Sequence, residues 1–239
     1  MSENIKLVDL FAGTGAFSLA FENTHRVKTI YANDIDKNSK IIYDKNFNIK
    51  MNLDDINNID TKDIPKMEIL TAGFPCQPFS VAGNQEGFND ERSNVFWKII
   101  DIMRFHKPRI VILENVKNLK SHDKGETFKT ITNNIEKIGY SIKHKILNTC
   151  EVTTIPQNRE RIYIVCFKFK KDNNKFIFPD DTTNTKIKIK DLLESNIKDD
   201  FYYKNGCTIW DKLVNEIVDT IDNDVVYQYR RYYVRKNKS

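Results

Sequence analysis

Short apolar runs alternate with amphipathic stretches through most of the chain. "IKLVDLFAGTGAFSLAFE", residues 5–22, opens with an apolar run, passes through two glycines, then places Phe17, Leu19, Ala20 and Phe21 at helix-like spacing. That order predicts strand, turn and helix. The rhythm repeats. "VKTIYAND" (27–34) reads as a strand and "IDKNSKIIYDKNF" (35–47) as a helix. "MEILTAGF" (67–74) reads as a buried strand, "RSNVFWKIIDIMRF" (92–105) as a helix, and "RIVILEN" (109–115) as another continuous apolar strand. "GETFKTITNNIEKIG" (125–139) is helical, "YSIKHKILN" (140–148) extended, and "RIYIVCFKF" (161–169) closes the series as a strand. Strands alternating with helices predict an α/β fold: a mostly parallel sheet with helices on both faces.

After Phe169 the pattern weakens. "KKDNNKFIFPDDTTNTKIKIKDLLESNIKDD" is polar, charged and poorly periodic, which predicts a boundary there: one domain over residues 1–169 and a peripheral segment over 170–239. "YYKNGCTIWDKLVNEIVDTI" holds one short helix at best, and "VVYQYRRYYVRKNKS" is basic and aromatic.

Composition narrows the class. The length of 239 residues suits one sizeable α/β domain with a small appendage. The 38 basic against 33 acidic side chains mildly favour a polyanionic partner. The chain contains no apolar stretch approaching the roughly 20 residues of a membrane span, and its start lacks the form of a secretory signal, so a cytoplasmic location is expected. Cys76, Cys150, Cys166 and Cys207 stand far apart, as do the four histidines, which argues against a structural metal or a disulfide framework.

Several positions carry candidate chemistry. In "DLFAGTGAF", Gly13 and Gly15 between strand and helix let the backbone approach a ligand, and Asp34 at the end of the next strand can accept ribose hydroxyl hydrogen bonds. The third glycine of the dinucleotide pattern is missing, and a purely structural turn explains the motif equally well. Asp54 and Asp55 before Ile56 stand where a following strand end can meet an adenine amino group, or simply form a solvated turn.

"AGFPCQPFSVAG" (72–83) sets Cys76 between Pro75 and Pro78, so the backbone is stiff and the thiol is presented in a fixed direction. A thiol so placed can serve as a nucleophile once ionised, whereas Cys166 inside an apolar strand reads as a core residue. Glu114 ends a buried strand, where desolvation raises a carboxyl group toward proton-donor range; a helix N-cap is the alternative. Arg159 and Arg161, two apart at a strand entrance, point to one face and offer guanidinium forks for carbonyl oxygens or phosphates, or pair with Glu160.

Taken in order, "DLFAGTGAF", "AND", "DDI", "GFPCQPFS", "ENVKNLKSH" and "QNRERIY" resemble the DNA (cytosine-5) methyltransferase family over residues 5–168. The resemblance implies a Rossmann-like methyltransferase fold that uses S-adenosylmethionine and no metal. It implies that Cys76 adds to C6 of a cytosine rotated out of duplex DNA, which makes C5 nucleophilic toward the methyl of a sulfonium donor. Glu114 then serves N3, and Arg161 faces O2 with Arg159 in support. Phe11, Ala12, Gly13, Gly15, Asp34, Ile35, Asp55, Ile56 and Pro75 line the cofactor, with Val95 reaching the adenine. Gln77, Ser80, Asn115 and Gln157 belong to the substrate side, and the loop from Ser80 to Val95 closes behind the base.

The chain departs from the family in places. Asp34 stands where Glu is common, and Ser93 follows Arg92 where Gly is usual. After Phe169 nothing resembles the family's Thr-Leu-Thr-Ala stretch or its late Gly-Asn motif. The resemblance therefore implies the catalytic subunit of a split enzyme, completed by a second polypeptide. A truncated, inactive binding protein is the alternative, and a tRNA substrate a further one. Arg230, Arg231, Arg235, Lys236 and Lys238 with interleaved tyrosines can follow a phosphate backbone, form a solvated tail or dock the partner.

Overall fold

Strand β1 (Ile5–Leu10) buries its last four residues, so both its faces are covered. Only a central strand of a sheet with a layer on each side does this. β1 pairs in parallel with β2 (Val27–Asn33) and with β3 (Ile69–Ala72), and β3 pairs in parallel with β4 (Ile110–Val116). β5 (Ser141–Asn148) and β6 (Glu160–Phe167) complete the sheet in the order β2-β1-β3-β4-β6-β5, with β6 antiparallel to β4. This is the mixed, mostly parallel α/β sheet expected from the alternation, with one reversed strand that periodicity does not reveal.

The computed structural model describes residues 4–75, 94–180, 187, 189–195, 198, 200, 204, 206–216, 225–230 and 233–238. Its helices are α1 (Ala16–Glu22), α2 (Lys37–Asn46), α3 (Asn94–His106), α4 (Glu126–Lys137), α5 (Thr149–Val152), α6 (Lys170–Lys175) and α7 (Thr208–Glu216). α4 buries Thr127, Ile131 and Ile135, one per turn along one face. α3 buries Phe96, Ile99, Ile100, Ile102 and Met103, and with α4 it packs the larger core against Val8, Leu70, Val111, Leu113 and Ile164. Each such fully buried aliphatic side chain contributes roughly 1.5–3 kcal/mol of transfer free energy. Cys166 is fully buried among them, as expected, and burial pushes its thiol pKa up.

Two compact units result, one formed by Met1–Ile146 with Arg161–Phe178 and the other by Leu147–Glu160 with Pro179–Ser239. In the second unit, β7 (Val225–Arg230) and β8 (Tyr233–Lys238) form an antiparallel pair, with Val225 opposite Lys238 and Arg230 opposite Tyr233. Residues 225–230 and 233–238 of the basic, aromatic stretch are thus extended, consistent with the strand preference of valine and tyrosine. Among the described residues no helix is long and apolar enough to cross a membrane.

A smaller core of Ala12, Ala32, Tyr43 and Met51 lies beside α1 and α2, where Tyr43 stacks on Phe47 with ring centroids 4.3 Å apart. Gly15 starts α1 with φ 96°, and a Cβ there would stand 2.2 Å from the Phe47 ring. Below this turn, Asp9 is fully buried. Its Oδ1 accepts from Thr71 Oγ1 at 2.7 Å, and its Oδ2 accepts from the Ser18 hydroxyl at 2.8 Å and the Ser18 amide at 3.2 Å. Since the Ser18 proton points to Asp9, the Tyr43 hydroxyl donates to Ser18 Oγ at 2.9 Å. One carboxylate therefore joins β1, β3 and α1, and reaches α2 through Ser18.

Burial disfavours the ionised carboxyl of Asp9 more than these hydrogen bonds favour it, so its pKa is pushed up to about 6 from 3.8. A carboxyl with a raised folded pKa binds its proton more tightly in the folded state. Its contribution to stability therefore falls as pH rises from about 4 to about 6.

Two stability measurements check this packing. Gly15→Ala, strained by its φ and by the Phe47 contact, is expected to lower unfolding free energy in urea by about 2–4 kcal/mol. Asp9→Asn keeps the shape but removes the titration. Its stability relative to the parent chain is expected to improve by on the order of 3 kcal/mol between about pH 4 and pH 7; a pH-independent difference contradicts the raised pKa.

Candidate active site

The candidate site lies at the carboxyl ends of the parallel strands, where each chain segment leaves the sheet. After β1 the backbone turns sharply: Phe11 has φ 54° and Gly13 φ 55°. The Ala12 amide donates to the Asn33 carbonyl at 3.0 Å, and the Gly13 amide donates to Asp34 Oδ2 at 2.8 Å. The other Asp34 oxygen accepts from the Asp36 amide at 2.9 Å. Asp34 thus folds back on the glycine turn. The space a Cβ on Gly13 would occupy is open, with no atom within 4 Å. Phe11, Ala12, Gly13, Gly15 and Asp34 are brought together as one turn with a carboxylate against it, and Ile35 beside them is 69% exposed.

The acidic stretch after β2 differs from the expected strand end. Asn33 and Asn52 form an isolated parallel bridge, and the chain then enters a 3-10 turn, Ile56–Asn58, capped by the Asp55 carboxylate on the Asn57 amide at 2.9 Å. Asn33, itself buried, holds this loop by donating to the Asn52 carbonyl at 3.3 Å and the Asp54 carbonyl at 2.8 Å. Ile56 is buried in the larger core, and Val95 packs against that core from the first turn of α3.

After β3 the chain runs through Gly73 and Phe74 to the exposed Pro75. Asn115, buried at the end of β4, donates to the Phe74 carbonyl at 3.0 Å and accepts from the Val116 amide at 2.8 Å. It clamps the backbone two residues before Cys76. Glu114 lies alongside: its Oε2 is 3.5 Å from where a Gly73 Cβ would stand, a point 3.9 Å from the Phe11 carbonyl. A Cβ at residue 73 would stand in ordinary van der Waals contact with this carboxylate and with the glycine turn.

Arg161 pairs with Glu114, Nε to Oε1 at 2.9 Å, with both side chains about four-fifths buried (22% and 20% exposed). The antiparallel register explains the contact, because Val116 faces Arg161 and Glu114 faces Tyr163, which sets Glu114 and Arg161 diagonally on one face. Arg161 belongs to the first unit and Arg159 to the second. Arg159 is exposed, with its amide donating to Asn148 Oδ1 at 3.0 Å and its carbonyl accepting from the Thr149 amide at 3.1 Å. Gln157 is likewise exposed and accepts from the Cys150 amide through its carbonyl at 3.1 Å. Cys76, Gln77, Ser80 and Ser93 lie outside the described residues.

Sequence reading passed over Asp9, Ser18, Asn33 and Thr71. The signal was present: Asp9, Asn33 and Thr71 are polar positions within or ending apolar strand runs, where an unpartnered group would be costly. Among the described residues no group of three or more His, Cys, Asp or Glu side chains is arranged to hold a metal ion.

Known proteins resemble this chain in sequence and in fold. The family model described as C-5 cytosine-specific DNA methylase matches residues 5–238. The type II methyltransferase M.Bsp6I of Bacillus sp. (strain RFL6) is 43% identical over 239 residues, covering 98% of this chain and 75% of the relative. The type II methyltransferase M1.ScrFI of Lactococcus lactis subsp. cremoris is 44% identical over 209 residues, covering 87% of this chain. The chain thus spans three quarters of the first relative but only about half, 52%, of the second. The fold is that of the S. pombe Dnmt2 methyltransferase crystal structure, with a TM-score of 0.69 over 92% of this chain and 70% of that one, at 23% identity. With the glycine turn, the Glu114–Arg161 pair and the clamped approach to Cys76 at one edge of such a sheet, this chain belongs to the C-5 cytosine-specific DNA methylase family.

Proposed function

We propose that the chain transfers a methyl group from S-adenosylmethionine to C5 of a cytosine rotated out of duplex DNA, through a covalent bond between Cys76 and C6. The observation that carries this reading is the convergence of Glu114, its partner Arg161 and the Asn115 clamp at the exit of the strand that leads to Cys76. The donor supplies an electrophilic methyl group on a sulfonium sulfur. The residues present suit it: the open space over Gly13, the adjoining Asp34 carboxylate and the exposed Ile35 offer a cradle for a hydroxyl-bearing nucleoside with a planar base.

The chain's own groups divide the work. Pro75 and the Asn115 bond to Phe74 fix the approach of the nucleophile, so the thiolate need not be ordered at the moment of attack. Thiolate addition at C6 drives negative charge toward N3 and O2, and Glu114 delivers a proton to N3 as that charge develops. Arg161 holds Glu114 in place through Nε, and a guanidinium beside the base is suited to the charge that develops at O2. Once the methyl carbon is bonded to C5, solvent water takes the C5 proton as the thiolate leaves C6, and N3 returns its proton to Glu114, which restores the aromatic ring.

We further infer that residues 170–239, with β7 and β8, form a recognition or docking segment that meets a second polypeptide. The separate compact unit that Pro179–Ser239 forms with Leu147–Glu160 supports this. The protein would act in the cytoplasm on nucleoid DNA.

Trapping tests the covalent step. A duplex containing 5-fluorodeoxycytidine, incubated with the chain, S-adenosylmethionine and the product of an adjoining reading frame, is expected to yield a denaturation-stable adduct at Cys76. Cys76→Ala is expected to yield none, and an equal adduct from that variant defeats the mechanism. Single-turnover methylation tests the acid pair. Glu114→Gln and Arg161→Ala are each expected to slow transfer by about 10²–10⁴-fold, with donor affinity changing much less.

A further inference from the structure

We propose that a basic cavity with an aromatic rim, at the amino-terminal edge of the sheet, binds a nucleotide with its phosphates among the lysines and its base on Phe105. The cavity lies at the opposite end of the strands from the candidate active site, and the proposal does not rest on the methyl-transfer reading.

β3 and β4 start side by side at Ile69 and Ile110, and the antiparallel β6 ends beside them at Phe167. The segments flanking these three ends enclose a cavity of about 680 Å³ within the first compact unit. That volume falls in the range of small-molecule sites, roughly 300–1,000 Å³. β4 is seven residues long, so about 20 Å of strand separates this edge from Val116. A ligand here leaves the glycine turn free.

Lys62, Lys66, Lys107, Arg109 and Lys168 line the cavity against a single carboxylate, Glu68, and all six are exposed. Arg109 is engaged by Asp172, to which it donates from Nε and Nη2 at 2.8 Å each. Glu68 Oε2 accepts from the Lys6 amide at 2.7 Å. Among the described residues no carboxylate pairs with any of the four lysines. Like charges around one hollow repel each other, and an anion seated between them replaces that repulsion with attraction.

The rim is held in place by the protein itself. His106 Nε2 donates to the Thr61 carbonyl at 2.8 Å, which ties the turn bearing Lys62 to the end of α3. The Lys168 amide donates to the Arg109 carbonyl at 3.0 Å, and its ammonium donates to the Lys107 carbonyl at 3.2 Å. The Ile110 amide donates to the Glu68 carbonyl at 3.1 Å. Phosphate oxygens therefore meet donors carried on a fixed backbone, which lowers the ordering cost of binding.

The aromatic rim points to a base as well as to phosphate. Phe105 is 55% exposed and Phe169 44% exposed, and both line this cavity. His106 meets the Phe105 ring edge-on with centroids 4.8 Å apart, which orients the ring. The Phe169 ring gathers the Lys168 and Lys171 ammonium groups at 5.6 and 5.7 Å from its centroid. A merely solvated basic face has no use for exposed phenylalanines, and a stacked duplex offers them no open base. Phosphate joined to an unpaired base uses both features, and a free nucleoside triphosphate and an unpaired strand share that chemistry.

The test is equilibrium binding of guanosine triphosphate, inorganic tripolyphosphate and a short oligothymidylate to the full chain at low salt. Guanosine triphosphate is expected to bind about tenfold tighter than tripolyphosphate, and both are expected to weaken as salt is raised. Lys62→Glu combined with Lys66→Glu is expected to weaken both by about tenfold or more, whereas Phe105→Ser weakens guanosine triphosphate alone. Tighter binding of the triphosphate than of the oligothymidylate assigns the cavity to a free nucleotide, and the reverse order assigns it to an unpaired strand; either supports the proposal. Photocrosslinking of an azido derivative of guanosine triphosphate to the unmutated chain is expected to label peptides containing Phe105 or Lys168, which decides the matter if a variant fails to fold. Binding of neither nucleotide probe up to about 1 mM, equal affinity for guanosine triphosphate and tripolyphosphate, or affinity unchanged by the charge reversal overturns the proposal and leaves methyl transfer intact.

Discussion

Parallel strands buried on both faces must hand their chain to loops at one edge, and the polar groups exposed there need partners inside the protein. Asp9, Asn33, Thr71 and Asn115 meet this constraint at or beside the carboxyl ends of β1 to β4, and all four are buried. Each is spent on a neighbouring segment: Asp9 on Ser18 and Thr71, Asn33 on the loop through Asp54, Asn115 on the Phe74 carbonyl. The candidate site is the outer surface of this layer. Its glycine turn, acidic loop and approach to Cys76 are held by hydrogen bonds that water cannot easily replace.

Two carboxylates in this layer illustrate how environment assigns roles. Glu114 is partly exposed and held by the Arg161 guanidinium at 2.9 Å. Asp9 is wholly buried and served only by neutral donors, and burial raises its pKa to about 6. The first arrangement fixes the orientation of a side chain at the carboxyl edge of the sheet. The second ties three segments together and favours the protonated form.

The strand and helix rhythm was legible because β3, β4 and β6 are short, mostly apolar runs and α4 carries a one-sided stripe of Thr127, Ile131 and Ile135. Glu114 could be singled out because a charge at the end of "RIVILEN" has no packing reason to be there. The reversal of β6 was not legible, since an apolar strand reads the same in either direction. The stretch with Asp54 and Asp55 read equally well as a strand end or a solvated turn; a single bridge at Asn52 and a 3-10 turn stand there, with Asn33 holding the loop.

By itself the sequence determined the alternating α/β layers, the family motifs and the types of residue available at the sheet's carboxyl edge, because local periodicity and turn chemistry act over a few neighbouring residues. Only the tertiary structure decided which of those residues meet. Glu114 reaches Arg161 because β6 runs antiparallel, Gly15 must lack a side chain because Phe47 packs there, and Asp9 lies under the glycine turn without a cation. These are contacts between distant segments, set by register and burial, and a linear pattern carries no record of either.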